Sequence, residues 1–535
     1  MKKYSTFAKS IDKLFCLIKL VFLEPMKKLA LLSKENLFFW AIILIAIISR
    51  LYFIYDPIRI DEAATFLQYI KGNPLRVFYY SSVNNHIFFT LLVKISTFFT
   101  GTSPATLRIV SFLSGIISII LTYILCKEFK QKGLYAAIAM STTPYLIFYS
   151  TYARSYTLTL CISLSLCLLA KNFIENKSNI AIFAISTLSG IGLLTVPTML
   201  LNITGIYIWI YINLIKGKGL KDAFLKYLLP IGCLTIICTF LFYLPSIFLS
   251  GGISSITNAK FTESMGLIPT LRGMPSYLTS TLLELTNQIP KPLLIINTIL
   301  FILGIVSYFQ KNSLKELTLV PSLMLGGFIT LIARSIIGHE RSFIYLIPFI
   351  LVVSDQGFTF LTRNLSKNIF RNFLILILLL GLIFSRNINE ENLIDNVPLS
   401  KIFPEASRII KYLEENNIGE PEKFNININE TFEPNLQFYS WYYNYPIYVN
   451  GISFKKSNSY YEWIKQAKLD FAKFENKSLT RNNIRLQNTI NKNQIYIKLE
   501  DYPIYLSHQK TYFKTPEKLV NIAEFGNVTI LKENN

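Results

Sequence analysis

The sequence predicts a polytopic α-helical membrane protein of about eleven spans, followed by a small soluble α/β domain. Three observations carry this. The chain of 535 residues is 52% apolar and only 16% charged, where an ordinary soluble protein carries roughly a quarter charged residues. The apolar residues fall in blocks approaching the roughly 20 residues that a helix needs to cross a bilayer. The net charge of +21 is unevenly spread: from Asn387 onward acidic and basic residues balance, so the excess lies in the first 386 residues. Lysines in cytoplasmic loops account for such an excess, and nucleic-acid binding is not needed to explain it.

Residues 1–36 are lysine-rich and interrupted by charge. No cleavable signal peptide is expected there, and residues 11–32 read as an amphipathic helix lying on the membrane surface. Apolar runs then place spans near 37–55, 105–126, 133–150, 155–171, 179–196, 199–215, 226–248, 291–309, 317–336, 341–361 and 369–386. Residues 86–99 are apolar but too short to span and read as an interfacial helix. The basic loops 127–133, 171–179, 216–226, 310–316 and 362–372 fall on the same side as the lysine-rich start if there are eleven spans. That parity makes 37–386 a transmembrane domain. It puts outer loops 56–103 and 250–290, and the region 387–535, on the non-cytoplasmic face.

The region 387–535 is rich in Asn, Tyr, Lys and Glu and contains short alternating stretches at 424–428 and 494–498, the pattern of half-buried strands. The six cysteines, Cys16, Cys126, Cys161, Cys167, Cys233 and Cys238, all lie in or beside apolar segments. They show no disulfide framework or metal-ligand spacing and read as small core residues. No internal repeat is visible, so the signature of many secondary transporters is missing.

Two features carry chemistry. Asp61-Glu62 lies just past the first apolar run, at a water–lipid boundary. Adjacent helical residues point about 100° apart, so one carboxylate can face a reacting centre while the other holds a backbone group or a cation. A carboxylate within hydrogen-bond reach of a hydroxyl is a suitable general base, although alone such a pair reads as a solvated loop. Second, Arg50, Arg108, Arg154, Arg334 and Arg341 fall at the outer ends of spans, with His86, Lys94 and His339 nearby. Each arginine alone can be snorkelling to headgroups. Together they read as a site for an anionic, lipid-borne group, since charges beside spans are costly and the guanidinium fork matches phosphate.

At these residues the chain resembles GT-C glycosyltransferases, specifically the family 39 type that includes protein O-mannosyltransferases and lipid A aminoarabinose transferases. Asp61-Glu62 looks like the acidic motif after the first span. Val83-Asn84-Asn85-His86-Ile87-Phe88-Phe89-Thr90 resembles the Asn-His-Pro-Leu-Tyr segment, with Ile87 in place of its proline. Phe99-Thr100-Gly101, Leu107-Arg108-Ile109-Val110-Ser111, Tyr152-Ala153-Arg154-Ser155-Tyr156 and Arg341-Ser342-Phe343-Ile344-Tyr345 are similar to later motifs in the same order. The likeness covers roughly residues 35–360; the region after it matches nothing in the family.

The resemblance implies a GT-C fold and a sugar donor carried on polyprenyl phosphate. It implies Asp61 as catalytic base, Glu62 assisting it or orienting the acceptor, and His86 and Arg154 at the donor phosphate. Tyr156, Arg341 and, more remotely, Arg272 join the donor phosphate or sugar. The expected activity is inverting transfer to a hydroxyl of an envelope lipid, glycan or protein, on the outer face of a bacterial inner membrane. Since no nucleotide donor is needed there, the lack of a Rossmann-type glycine loop fits. No cofactor is required; a divalent metal held by Asp61, Glu62 and Asn85 is possible. The competing expectation is a transporter or flippase of a lipid-linked glycan, which needs broken helices and polar groups at mid-membrane. Aromatics at 439–445 would suit sugar stacking or a folded core equally well.

Overall fold

The computed structural model describes residues 35–80, 84–250, 252, 266–286, 289, 291–336, 338–385, 403–416, 424–428, 433–445, 448–449, 452–453, 493–499, 519–525 and 528–533. The expected amphipathic helix at 11–32 and the cysteine at 16 lie outside the described residues. In chain order the main helices are α1 (Glu35–Ile54), α2 (Ile60–Thr65), α3 (Ile87–Thr100), α4 (Pro104–Glu128), α5 (Leu134–Thr142), α6 (Pro144–Ser150), α7 (Tyr156–Asn176), α8 (Asn179–Thr195), α9 (Met199–Lys218), α10 (Leu229–Leu249), α11 (Leu267–Thr286), α12 (Lys291–Gln310), α13 (Leu319–Arg334), α14 (Leu346–Leu361), α15 (Lys367–Ser385), α16 (Phe403–Glu415) and α17 (Glu433–Tyr442). Strands follow as β1 (Phe424–Ile428), β2 (Tyr448–Val449), β3 (Ile452–Ser453), β4 (Asn493–Leu499), β5 (Leu519–Phe525) and β6 (Val528–Glu533).

The described residues form two compact units. One takes those within 35–54, 80–92 and 108–385; the other takes those within 55–79 and 93–107 together with those from 403 onward. Composition alone places a boundary near 387. Contacts instead join the segment carrying Asp61 to the C-terminal region.

In the first unit six helices are long and apolar enough to cross a membrane: Leu37–Ile54, Pro104–Glu128, Tyr156–Asn176, Leu220–Leu249, Lys291–Gln310 and Lys315–Arg334. Helices such as Asn179–Thr195, Met199–Ile215 and Leu346–Leu361 are apolar but shorter, so the eleven apolar runs do not become eleven full-length spans. The run at 133–150 is divided. Pro144 lacks the amide hydrogen that would continue α5 and sits instead at the first turn of α6. The run at 341–361 becomes a short 3-10 turn, Glu340–Phe343, before α14 begins at Leu346. Phe248 is 80% exposed on α10 and Ile295 59% exposed on α12. With Leu44, Ile48, Ile237 and Ile299 they form the lipid-facing exterior expected of an integral membrane protein.

Helices α12 and α14 cross at glycines. A methyl group added to Gly357 would stand 1.9 Å from the carbonyl oxygen of Leu300, and one on Gly304 would stand 2.0 Å from that of Val353. Only hydrogen at both positions lets the backbones meet, the usual device where helices cannot gain from excluding water. Asp355, fully buried on α14, accepts from the amides of Gly133 (2.8 Å) and Ala136 (3.2 Å). It thereby satisfies donors left open at the start of α5.

In the second unit the sheet order is β3-β2-β1-β4-β6-β5. Strand β1 runs parallel to β2 and β4, with Ile426 opposite Ile495; the β4–β6, β5–β6 and β2–β3 pairs are antiparallel. Helix α16 buries Ala406, Ile409, Ile410 and Leu413, spacings that define one face of a helix, and packs against α17.

Candidate active site

The carboxylate pair stands on α2 in the second unit. Glu62 is buried, and its Oε2 accepts the backbone amide of Arg59 at 2.8 Å. Arg59 is the residue before the first helical turn and Glu62 the third within it, so the bond is the half of a capping box in which an acidic side chain reaches back to close a helix start. Asp61, one residue earlier and about 100° away, is half-buried. Glu62 thus holds a backbone group and shapes the turn, while Asp61 stands on the adjacent position of the same turn. A five-residue π turn, Phe66–Ile70, follows at once.

In the first unit the chain before α3 meets the chain before α7. Arg154 donates to the carbonyl oxygen of Asn84 (2.9 Å) and to its Oδ1 (3.0 Å), and a third contact, 3.4 Å long, runs to Nε2 of His86. The other ring nitrogen, Nδ1, lies 2.6 Å from Ser155 Oγ. The Ser155 amide also donates to Nδ1, at 3.4 Å. The ring is thus held at both nitrogens, by Ser155 on one side and Arg154 on the other. Burial first, and then the charges of Arg154 and Arg341, hold His86 well below the ordinary histidine range. The neutral imidazole braces Arg154.

Tyr156 meets His86 edge-on at 6.1 Å between ring centroids, and the Arg341 guanidinium carbon lies 5.8 Å from the Tyr156 ring centre. Arg341, Tyr156, Thr159, Thr198 and Ser342 line a small cleft. Four residues singled out in the sequence, His86, Arg154, Tyr156 and Arg341, are thus brought together. Arg272 is exposed on α11 and does not line this cleft.

The wider cluster of cations does not survive as one site. Arg50 is buried and donates to the carbonyls of Ala46 (3.2 Å), Ser141 (3.1 Å) and Met140 (3.1 Å), covering the C-terminal end of α5. Arg108, also buried, donates to Ile54 O at 3.1 Å. In the second unit Lys94 Nζ donates to Gly72 O at 2.7 Å and also to Ile70 O. Arg334 is exposed.

Asn85 Oδ1 accepts the Thr90 hydroxyl at 2.9 Å. Among the described residues no group of three or more His, Cys, Asp and Glu side chains converges. Aromatics of 438–443 stack mainly on one another, Phe438 on Tyr442 and Tyr439 on Tyr443, as a folded core does. The residues missed from the sequence are Asn84 and Ser155. Both adjoin residues already singled out, and only their position across the fold gives them a role.

No family model matches the chain, and no curated protein matches it. Among solved structures it is similar to ArnT from Cupriavidus metallidurans in the apo state, at 10% identity and a TM-score of 0.49, covering 93% of this chain and 97% of that one. ArnT from the same organism bound to undecaprenyl phosphate gives 10% identity and a TM-score of 0.45 over the same shares.

Proposed function

We propose that this chain is a membrane glycosyltransferase. It moves a sugar from a polyprenyl-phosphate donor to a hydroxyl of an envelope lipid, glycan or protein, on the non-cytoplasmic face of a bacterial inner membrane. The observation that carries the reading is the placement of Asp61 on a helix whose start is closed by its neighbour Glu62. A half-buried carboxylate on such a locked turn is a positioned base. Asp61 takes the proton from the acceptor hydroxyl as its oxygen attacks the anomeric carbon. The bond from that carbon to the phosphate oxygen breaks, configuration inverts, and polyprenyl phosphate leaves. Arg154 and Arg341 offset the charge that builds on the departing phosphate, with His86 holding Arg154 in place.

An apolar groove of about 170 Å³ in the first unit, lined by residues such as Leu285, Leu293, Ile350 and Leu380, supports a lipid-borne substrate. The test is mass spectrometry of envelope glycans from cells with this chain, without it, and with Asp61→Asn. The substituted glycan is expected only with the parent protein. Normal glycans from cells carrying a well-expressed Asp61→Asn protein would end the assignment, and lipid-linked glycan flux without chemical change would favour a flippase.

A further inference from the structure

Asp61 lies between two attachments to the same helix of the C-terminal region. Three residues before it is Ile58, fully buried. Its carbonyl oxygen accepts from Asn435 Nδ2 at 2.6 Å, and its amide donates to the Tyr439 hydroxyl at 3.4 Å. Both partners stand on α17 four residues apart, hence on one face, and both are buried. Five residues after Asp61 is Phe66, whose ring meets Phe438 at 5.3 Å and Trp441 at 4.7 Å, again from α17. A single residue has both its backbone groups held by side chains remote in sequence, just ahead of the α2 start that Glu62 closes. The direction in which the chain comes into α2, and with it the aim of Asp61, is set by that grip.

We infer that Asn435 and Tyr439 are positioning residues for Asp61, so that the C-terminal region is a working part of the transferase and not an appended module. This rests on the proposed role of Asp61 as base. Catalysis is sensitive to misplacement of a base by about an ångström. Loosening Ile58 therefore lowers the rate of the chemical step, while donor binding, assigned to Arg154 and Arg341, is untouched.

The test uses full-length protein in native membranes, supplied with total lipid extract from cells lacking this chain as the donor source. Asn435→Ala is expected to lower the maximal transfer rate at least tenfold and leave the half-saturating amount of extract within twofold. Hydrogen–deuterium exchange of the peptide covering residues 56–66 should accelerate at the same time. Tyr439→Phe, which keeps the ring and loses only the longer bond, should give a smaller change in the same direction and guards against misfolding of the first variant. Ser440→Ala is the control: Ser440 bonds Tyr445 O at 2.6 Å and touches neither attachment. It should leave rate and 56–66 exchange as in the parent.

The inference is overturned, with the proposed function intact, if Asp61→Asn abolishes transfer but Asn435→Ala and Tyr439→Phe leave rate and exchange within twofold of the parent. It is also overturned if Ser440→Ala slows transfer as much as Asn435→Ala does. Transfer that persists in Asp61→Asn overturns the functional reading itself, whatever the exchange data show.

Discussion

Ser155 Oγ lies 2.6 Å from Nδ1 of His86, and the other ring nitrogen, Nε2, lies 3.4 Å from the Arg154 guanidinium. The histidine is a buried strut between a serine and an arginine.

A pH dependence follows. Burial and the two nearby arginines lower the His86 pKa in the folded state below its unfolded value of about 6.5. The unfolded chain therefore takes up a proton that the folded chain refuses as pH falls below about 6.5. The stability contribution is complete above that pH. It is lost progressively from there down to the lowered folded value. Melting of the detergent-solubilised protein between pH 8 and 5 should show this decline, and His86→Gln should flatten it.

Arg154→Lys tests the fork. Lysine is a point charge and cannot donate to Asn84 O and Asn84 Oδ1 in the same planar geometry. The half-saturating concentration for a polyprenyl phosphate should rise about tenfold, the consequence of losing roughly 1.4 kcal/mol of binding. Equal binding by both proteins would remove Arg154 from the donor site.

Glu62 can be separated from Asp61 by its preference for glutamine. Glutamine retains the acceptor that closes the start of α2, so Glu62→Gln should keep most of the transfer activity, whereas Asp61→Asn should lose it. Glu62→Ala should cost about 1 kcal/mol of stability and slow transfer. An inactive Glu62→Gln protein with normal folding would show that the charge takes part in the chemistry.

Arg50 is a structural cation on this reading. Arg50→Leu would leave the buried carbonyls of Met140 and Ser141 without their donor, a loss of about 3 kcal/mol. Thermal melting should fall sharply while residual transfer by the folded fraction keeps its normal lipid dependence.

Gly357→Val tests the α12–α14 crossing. The added side chain would collide with Leu300 O, and overpacking of this kind costs about 1–3 kcal/mol or more. The expected outcome is a lower yield of monodisperse protein in detergent; a parent-like yield and melting temperature would show that the helices part without cost.

Much of the architecture is written in the sequence because it depends on local properties. Apolar runs read as helices since hydrocarbon permits few other backbone forms, and Pro144 breaks one of them through its own missing amide hydrogen. That one of Asp61 and Glu62 can hold a backbone group also follows from helical spacing, although the particular anchor, Arg59 N–H, does not. The fate of each arginine is different in kind. Arg50, Arg108 and Arg154 look alike in sequence, each at the end of an apolar run. The first two meet carbonyl oxygens, and the third meets Asn84 and His86. A charged side chain beside a membrane takes whichever acceptors the neighbouring helices offer, and Arg50 finds its own 90 and 91 residues away in sequence. The sequence by itself determined the class, the helices and the residues capable of chemistry. Only the tertiary structure decided which of them meet and that Ile58 is held by Asn435, a residue 377 positions away in sequence. Such pairings depend on where distant segments come to rest, and residue types along the chain do not specify that.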